Sequence, residues 1–253
     1  MTNLAGKVAL VTGGGQGVGQ GIALALASEG VAVTITGRTL AKVEETARLI
    51  AERGGKALPL AGNVKDAADL AAMVDQTVAT FGGLDILANN AQEVPLGKLA
   101  DVTDEAFIAG FESGPLATHR LMKLAHPHMV ARGGGTIFNL CSSAGIRWDM
   151  TGYGAYAAVK QAIRSLTRAA AAEWGRDGIR VLTIAPHAES PGLKGWLEHY
   201  PEEAKAFFKT IPLGRIGKLE EDIGRAIVAL CGQDLGYLTG ATIPLDGGQA
   251  NFD

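Results

Sequence analysis

The stretch Lys7-Val-Ala-Leu-Val-Thr-Gly-Gly-Gly-Gln-Gly-Val-Gly19 decides the fold. Val8 to Val11 form a continuously apolar run, the pattern of a strand covered on both faces. Glycines follow at 13, 14, 15 and 17, with Gly19 closing the group, and then Ile22, Leu24, Ala25 and Leu26 open a helix-length segment. Strand, glycine turn and helix together bring backbone N–H groups and a helix N-terminus up to a diphosphate. Glycine suits the turn because it tolerates positive φ and allows a ligand close to the main chain.

The segments downstream alternate in the same way. Val31 to Thr36 is β-branched and strand-like, Leu40 to Arg53 is an amphipathic helix, and Ala57 to Leu60 is a third strand. A helix over Asp66 to Thr80 leads to a fourth strand, Leu84 to Asn90. A long helical region, Asp104 to Val130, is expected to break at Gly114-Pro115. Thr136 to Cys141, Ile179 to Ala185 and Ala241 onward supply the remaining strands, with helices to about Trp174 and over Leu219 to Leu230. This alternation predicts an α/β fold: a single doubly wound Rossmann-type domain over residues 1–253, with a parallel sheet of about seven strands.

Composition narrows the partners. The chain has 253 residues, 47% hydrophobic and 19% charged, with a net charge of −3 and pI near 6.0. That balance gives no electrostatic reason to expect nucleic acid or an anionic membrane. No apolar stretch approaches the ~18 residues of a membrane span. The glycine turn at position 13 leaves no room for a signal peptide. Cys141 and Cys231, in apolar contexts, read as free thiols in a reducing, cytoplasmic setting. His119, His126 and His128 lack acidic or Cys neighbours at ligand spacing, so no metal site is expected.

Thr12-Gly13-x-x-x-Gly17-x-Gly19, Asn89-Asn90-Ala91-Gln92, Ser142-Ser143-Ala144-Gly145, Tyr156-Ala-Ala-Val-Lys160 and the closing Asp246-Gly247-Gly248 run through the whole chain. In these motifs the sequence resembles the short-chain dehydrogenase/reductase family, in its branch of single-domain chains of this length. The resemblance implies a nicotinamide cofactor held by Gly13, Gly15, Gln16, Gly17, Val18 and Gly19, then by Asn63, Val64, Asn90 and Ala91. Tyr156, Lys160, Pro186 and Ser190 complete that set. At the tip of the second strand, Gly37 is followed by Arg38, whose guanidinium suits a 2′-phosphate, so NADP(H) is preferred and NAD(H) possible.

Residues four apart share a helix face, so Tyr156 and Lys160 point into one site. A free phenol titrates near 10, too high for a good base at neutral pH. An ammonium on Lys160, with the positive ring of the oxidised cofactor, is expected to favour the phenolate. Tyr156 then exchanges the substrate proton while a serine hydroxyl orients the carbonyl oxygen. The spacing to Gly145 selects Ser142, whereas counting back from Tyr156 by the family's usual interval lands on Ser143. The implied function interconverts a ketone and a secondary alcohol. Tyr153 and Lys160 also fit the spacing of enoyl reductases, leaving C=C reduction as an alternative. A catalytically weak cofactor-binding protein is a third reading.

Several positions depart from the family pattern. Gln92 replaces a glycine, Asn63 replaces the usual Asp, and His187 replaces a glycine after Pro186. Gly114 stands where the family places an Asn that helps hold a water in the proton relay. Residues 187–213, with Trp196, His199, Tyr200, Phe207 and Phe208, resemble the family's substrate lid. With Trp148, Met150 and Tyr153 opposite, they suggest a sizeable apolar or cyclic small-molecule carbonyl or alcohol substrate. The family is commonly tetrameric, so a homotetramer or homodimer is expected, with contacts through the Tyr156 helix and the long helix before it.

Overall fold

The computed structural model describes residues 4–146, 151–189 and 199–249, together with Leu193 and Gly195. Its elements are β1 (Val8–Thr12), α1 (Gly17–Ser28), β2 (Ala32–Gly37), α2 (Leu40–Glu52), β3 (Ala57–Ala61), α3 (Ala67–Phe81) and β4 (Ile86–Asn89). They continue with α4 (Asp104–Phe111), α5 (Ala117–Ala131), β5 (Gly135–Leu140), α6 (Gly154–Trp174), β6 (Ile179–Pro186), α7 (Pro201–Phe208), α8 (Arg225–Cys231) and β7 (Thr242–Leu245). The seven strands form one parallel sheet in the order β3-β2-β1-β4-β5-β6-β7. This is the doubly wound arrangement expected from the sequence.

Two apolar layers explain the continuous hydrophobic strands. Ala9, Val11, Val33 and Ile35 face one layer, against Ile22, Leu26 and Ile227. Leu10, Leu87 and Ile137 face the other, against Leu70, Leu121 and Met129. The five inner strands therefore bury both of their alternating faces, while the edge strands β3 and β7 are only partly covered. Asp85 sits just before β4 at 2% exposure, accepting from Lys7 Nζ (2.9 Å), Arg132 Nη2 (3.1 Å) and the Val8 amide (2.9 Å). It ties the starts of β1 and β4 together.

The strand order reverses between β1 and β4, which leave in opposite directions across the sheet. A crevice opens there, above the carboxyl ends of the strands. The helix break expected at Gly114-Pro115 is not a break. Glu112–Leu116 forms a π-helical turn that joins α4 to α5. The wider turn accommodates Pro115, which has no N–H to give and whose ring would clash with an α-helical carbonyl. A second π turn, Leu219–Gly224, precedes α8.

Candidate active site

The glycine turn folds as its sequence requires. Gly13 and Gly17 have φ of 65° and 58°, a region that side chains rarely adopt. Asn90 locks the turn to β4, its Nδ2 donating to the carbonyls of Thr12 (2.9 Å) and Gly13 (3.2 Å). Thr12 Oγ1 accepts from the amides of Asn90 (3.0 Å) and Ala91 (3.1 Å). No side chain caps the first turn of α1, because Gln16 instead accepts from Lys42 Nζ at 2.7 Å. The helix N-terminus is left to a ligand, which suits a diphosphate.

A cleft of about 650 Å³ runs from this turn to the start of α6. Gly13, Gly15, Gln16, Gly17, Val18, Arg38, Asn63, Val64, Asn90, Ala91, Ser142, Tyr156, Lys160 and Pro186 all line it. Gly19 does not. A Cβ there would run into the Gly13 carbonyl oxygen and lie 2.6 Å from Asn90 Nδ2. Its part is to let α1 approach the turn. Ser143 is also absent from the walls, buried at the start of a short 3₁₀ turn. Ser190, Trp148, Met150 and Trp196 lie outside the described residues.

At one end, Ser142 hydrogen-bonds the Tyr156 side chain, which distinguishes it from Ser143. Lys160 Nζ is buried, donates to the Leu140 carbonyl at 2.7 Å, and lies 5.5 Å from the Tyr156 ring centroid. Burial pushes the Lys160 ammonium down to about 8, opposed by Cys141. Tyr156 is part-exposed toward the cleft, yet burial around its hydroxyl pushes it up to about 12, against the Ser142 hydrogen bond. The expected phenolate is therefore not favoured by the protein's own groups. The ammonium donates to a backbone carbonyl, and desolvation is the largest influence on the phenol. At neutral pH the Tyr156 hydroxyl keeps its proton.

At the other end, Arg38 Nη1 pairs with Glu93 Oε1 at 3.0 Å, and Glu93 also takes Lys65 Nζ at 3.2 Å. Sequence reasoning missed Glu93, Lys42 and Lys65. Glu93 directly follows the Asn-Asn-Ala-Gln motif, but only folding brings it to residues 55 and 28 positions away. Asn63 Oδ1 accepts from the Lys65 amide at 3.1 Å, a local turn that holds it at the rim. His187 lines the cleft, its ring edge-on to Phe207 at 5.3 Å. Tyr153 is 38% exposed beside the start of α6 and is not a wall. His126 pairs with Asp177 at 2.9 Å and stacks on Trp174, a surface role.

The glycine cradle, open helix N-terminus and cleft volume fit a dinucleotide, with reacting groups at the end where Ser142, Tyr156 and Lys160 converge.

Comparison with known proteins agrees with that geometry. A family model described as enoyl-(acyl carrier protein) reductase matches residues 13–250. The chain is 39% identical to the 12alpha-hydroxysteroid dehydrogenase of a Clostridium species, covering 96% of each. It is 34% identical to the peroxisomal 2,4-dienoyl-CoA reductase of Danio rerio, covering 97% of this chain and 82% of the relative. Among solved structures it is similar to a 7 alpha-hydroxysteroid dehydrogenase complexed with NADH and 7-oxo glycochenodeoxycholic acid. That likeness has a TM-score of 0.91 and 29% identity, over 98% of this chain and 96% of the other.

Proposed function

Because the chain belongs to the short-chain dehydrogenase/reductase family of oxidoreductases, we propose that it interconverts a ketone and a secondary alcohol of a sizeable cyclic compound, using NADP(H). The observation that carries this reading is the Ser142–Tyr156 hydrogen bond beside buried Lys160, at the end of the glycine-lined cleft. Two hydroxysteroid dehydrogenases among the similar proteins support a ring-bearing substrate. His187, which lines the cleft with Phe207 packed edge-on behind it, supports an apolar pocket wall.

When bound, the nicotinamide supplies the hydride acceptor and donor. In the reducing direction Tyr156 donates its proton to the carbonyl oxygen, and Ser142 hydrogen-bonds that oxygen as charge develops on it. Lys160 sits beneath the pair and holds positive charge near the phenol. In the oxidising direction Tyr156 must first lose its proton. Its raised pKa makes alcohol oxidation climb with pH, while ketone reduction keeps its proton donor well above neutrality.

Arg38 at the tip of β2 supports NADP(H), although a 2′-phosphate must displace Glu93 from it. Phe107 and Ile108 on α4, Leu116 after it and Val130 on α5 are exposed apolar residues. They support a homotetramer or homodimer joined through the long helical region. Two free thiols support a reducing cytoplasmic compartment.

A second reading is C=C reduction, favoured by the family model's description and the dienoyl-CoA reductase relative. It requires Tyr153, whose exposed place off the cleft walls weighs against it. The test follows NADPH absorbance with cyclic ketones, steroid ketones and the matching enones. Turnover of saturated ketones supports the proposal, and turnover of enones alone rejects it. Tyr156→Phe is expected to lower kcat by about 10²- to 10⁴-fold, with Tyr153→Phe within about 3-fold of wild type.

A further inference from the structure

Two of the departures noted in the sequence, Gln92 and Gly114, meet in the fold. A Cβ built on Gly114 would lie 3.2 Å from Gln92 Nε2 and 3.3 Å from its Cδ. The same Cβ would lie 2.8 Å from Val159 Cγ1, one residue before Lys160 on α6. The Gln92 carboxamide, with Val159, therefore crowds the space that a side chain at position 114 would need. It lies against the π turn and beside the helix face that carries Tyr156 and Lys160.

The placement is built from both sides. Ser113 Oγ, in the same π turn, accepts from the Glu93 amide at 3.0 Å and donates to the Ala109 carbonyl at 2.7 Å. That pins the loop bearing Gln92 to the turn bearing Gly114. Gln92 and Ser113 both line the cleft with Ser142, Tyr156 and Lys160. Gln92 Nε2 is buried, with no hydrogen-bond partner among the described residues. A buried amide nitrogen that finds no acceptor on the protein is rare, and it points to an acceptor arriving from the cleft.

We propose that these two departures are one exchange: Gln92, from the β4 side, supplies the carboxamide that position 114 lacks, and its Nε2 donates to a water or ligand oxygen beside Tyr156 and Lys160. Gln92 is thus a positioning residue for proton transfer, and the proposal rests on the ketone–alcohol reading above. A larger residue at 114 meets Val159 first and crowds the amide next.

Gln92→Leu removes the donor and leaves a branched apolar side chain one atom shorter. The expected result is a kcat lower by about 10- to 100-fold with an altered pH profile, while KM and the NADPH Kd stay within about 3-fold. Moving the amide back tests the exchange. In a Val159→Ala background, which makes room, Gln92→Gly alone is expected to be impaired, and Gln92→Gly with Gly114→Asn is expected to recover at least about 10-fold of that loss. In ¹⁵N-labelled protein, the Gln92 side-chain amide signal, assigned by its loss in Gln92→Leu, is expected to shift on adding NADPH. A Gln92→Leu kcat within about 2-fold of wild type, no recovery in the combined variant, or an unmoved amide signal each overturns the proposal. A wild-type enzyme that turns over no ketone overturns the functional reading instead, and the amide signal then decides this one.

Discussion

Replacing Lys160 by Met separates what this buried ammonium does for function from what it does to stability. Lys160 is 4% exposed, and burial lowers it from 10.5 to about 8. At about 1.4 kcal/mol for each pKa unit, that is a native-state penalty of about 3 kcal/mol while the group is charged. The sign follows from proton counts. Below pH 8 both folded and unfolded chains hold the proton, and the penalty is present in full. Between about 8 and 10.5 the folded protein has lost it and the unfolded chain has not, so stability rises with pH.

Integrated from pH 7 to pH 10, this one group contributes about 2–3 kcal/mol of added stability to the wild type and nothing to Lys160→Met. At pH 7 the variant escapes the penalty but leaves the Leu140 carbonyl without its 2.7 Å donor, a cost of about 1–3 kcal/mol. The two proteins are therefore expected to be of similar stability at pH 7, with the wild type ahead by about 2–3 kcal/mol at pH 10. Urea unfolding followed by circular dichroism, at one fixed protein concentration, measures both. Taking the difference between wild type and variant cancels other titrating groups. A difference that stays flat across this range refutes the reasoning, because Lys160 would then titrate as it does in the unfolded chain. Ketone turnover by the variant is expected to fall at least about 100-fold even where its stability matches.

Three other outcomes follow from the same geometry. Gly19→Ala drives a methyl into the Gly13 carbonyl and the Asn90 amide, so NADPH affinity, read by nucleotide fluorescence, is expected to fall at least about 10-fold while far-UV dichroism is retained. Glu93→Gln frees Arg38 and Lys65, and is expected to tighten 2′,5′-ADP by about 3- to 10-fold in calorimetric titration while leaving 5′-AMP unchanged; equal effects on both ligands would exclude Arg38 as the phosphate partner. Asp85→Ala frees two half-exposed cations, leaves the buried Val8 amide without its acceptor, and is expected to cost about 1–3 kcal/mol in urea unfolding. Burial raises the Asp85 pKa, but Lys7, Arg132 and the Val8 amide outweigh it and leave it lowered, so this stability is present above the carboxylate range and is lost as pH falls through it.

The sheet and the cofactor cradle were legible in the chain because both are local. A continuous apolar run must be covered on both faces, and Gly13 and Gly17 mark a turn that few other residues can make. Tyr156 and Lys160 share a helix face by spacing alone. What no spacing reveals is which groups from distant segments finish next to one another. Tertiary packing put Ser142 rather than Ser143 on the cleft wall beside Tyr156, brought Glu93 onto Arg38, and set Gln92 against Gly114. It also raised the Tyr156 phenol by burial, since desolvation depends on everything packed around a group and not on its neighbours in sequence. The chain alone determined the strands, the glycine turn and the reactive residue types. Only the assembled fold decided their partners and protonation, because those depend on distances across elements far apart in sequence.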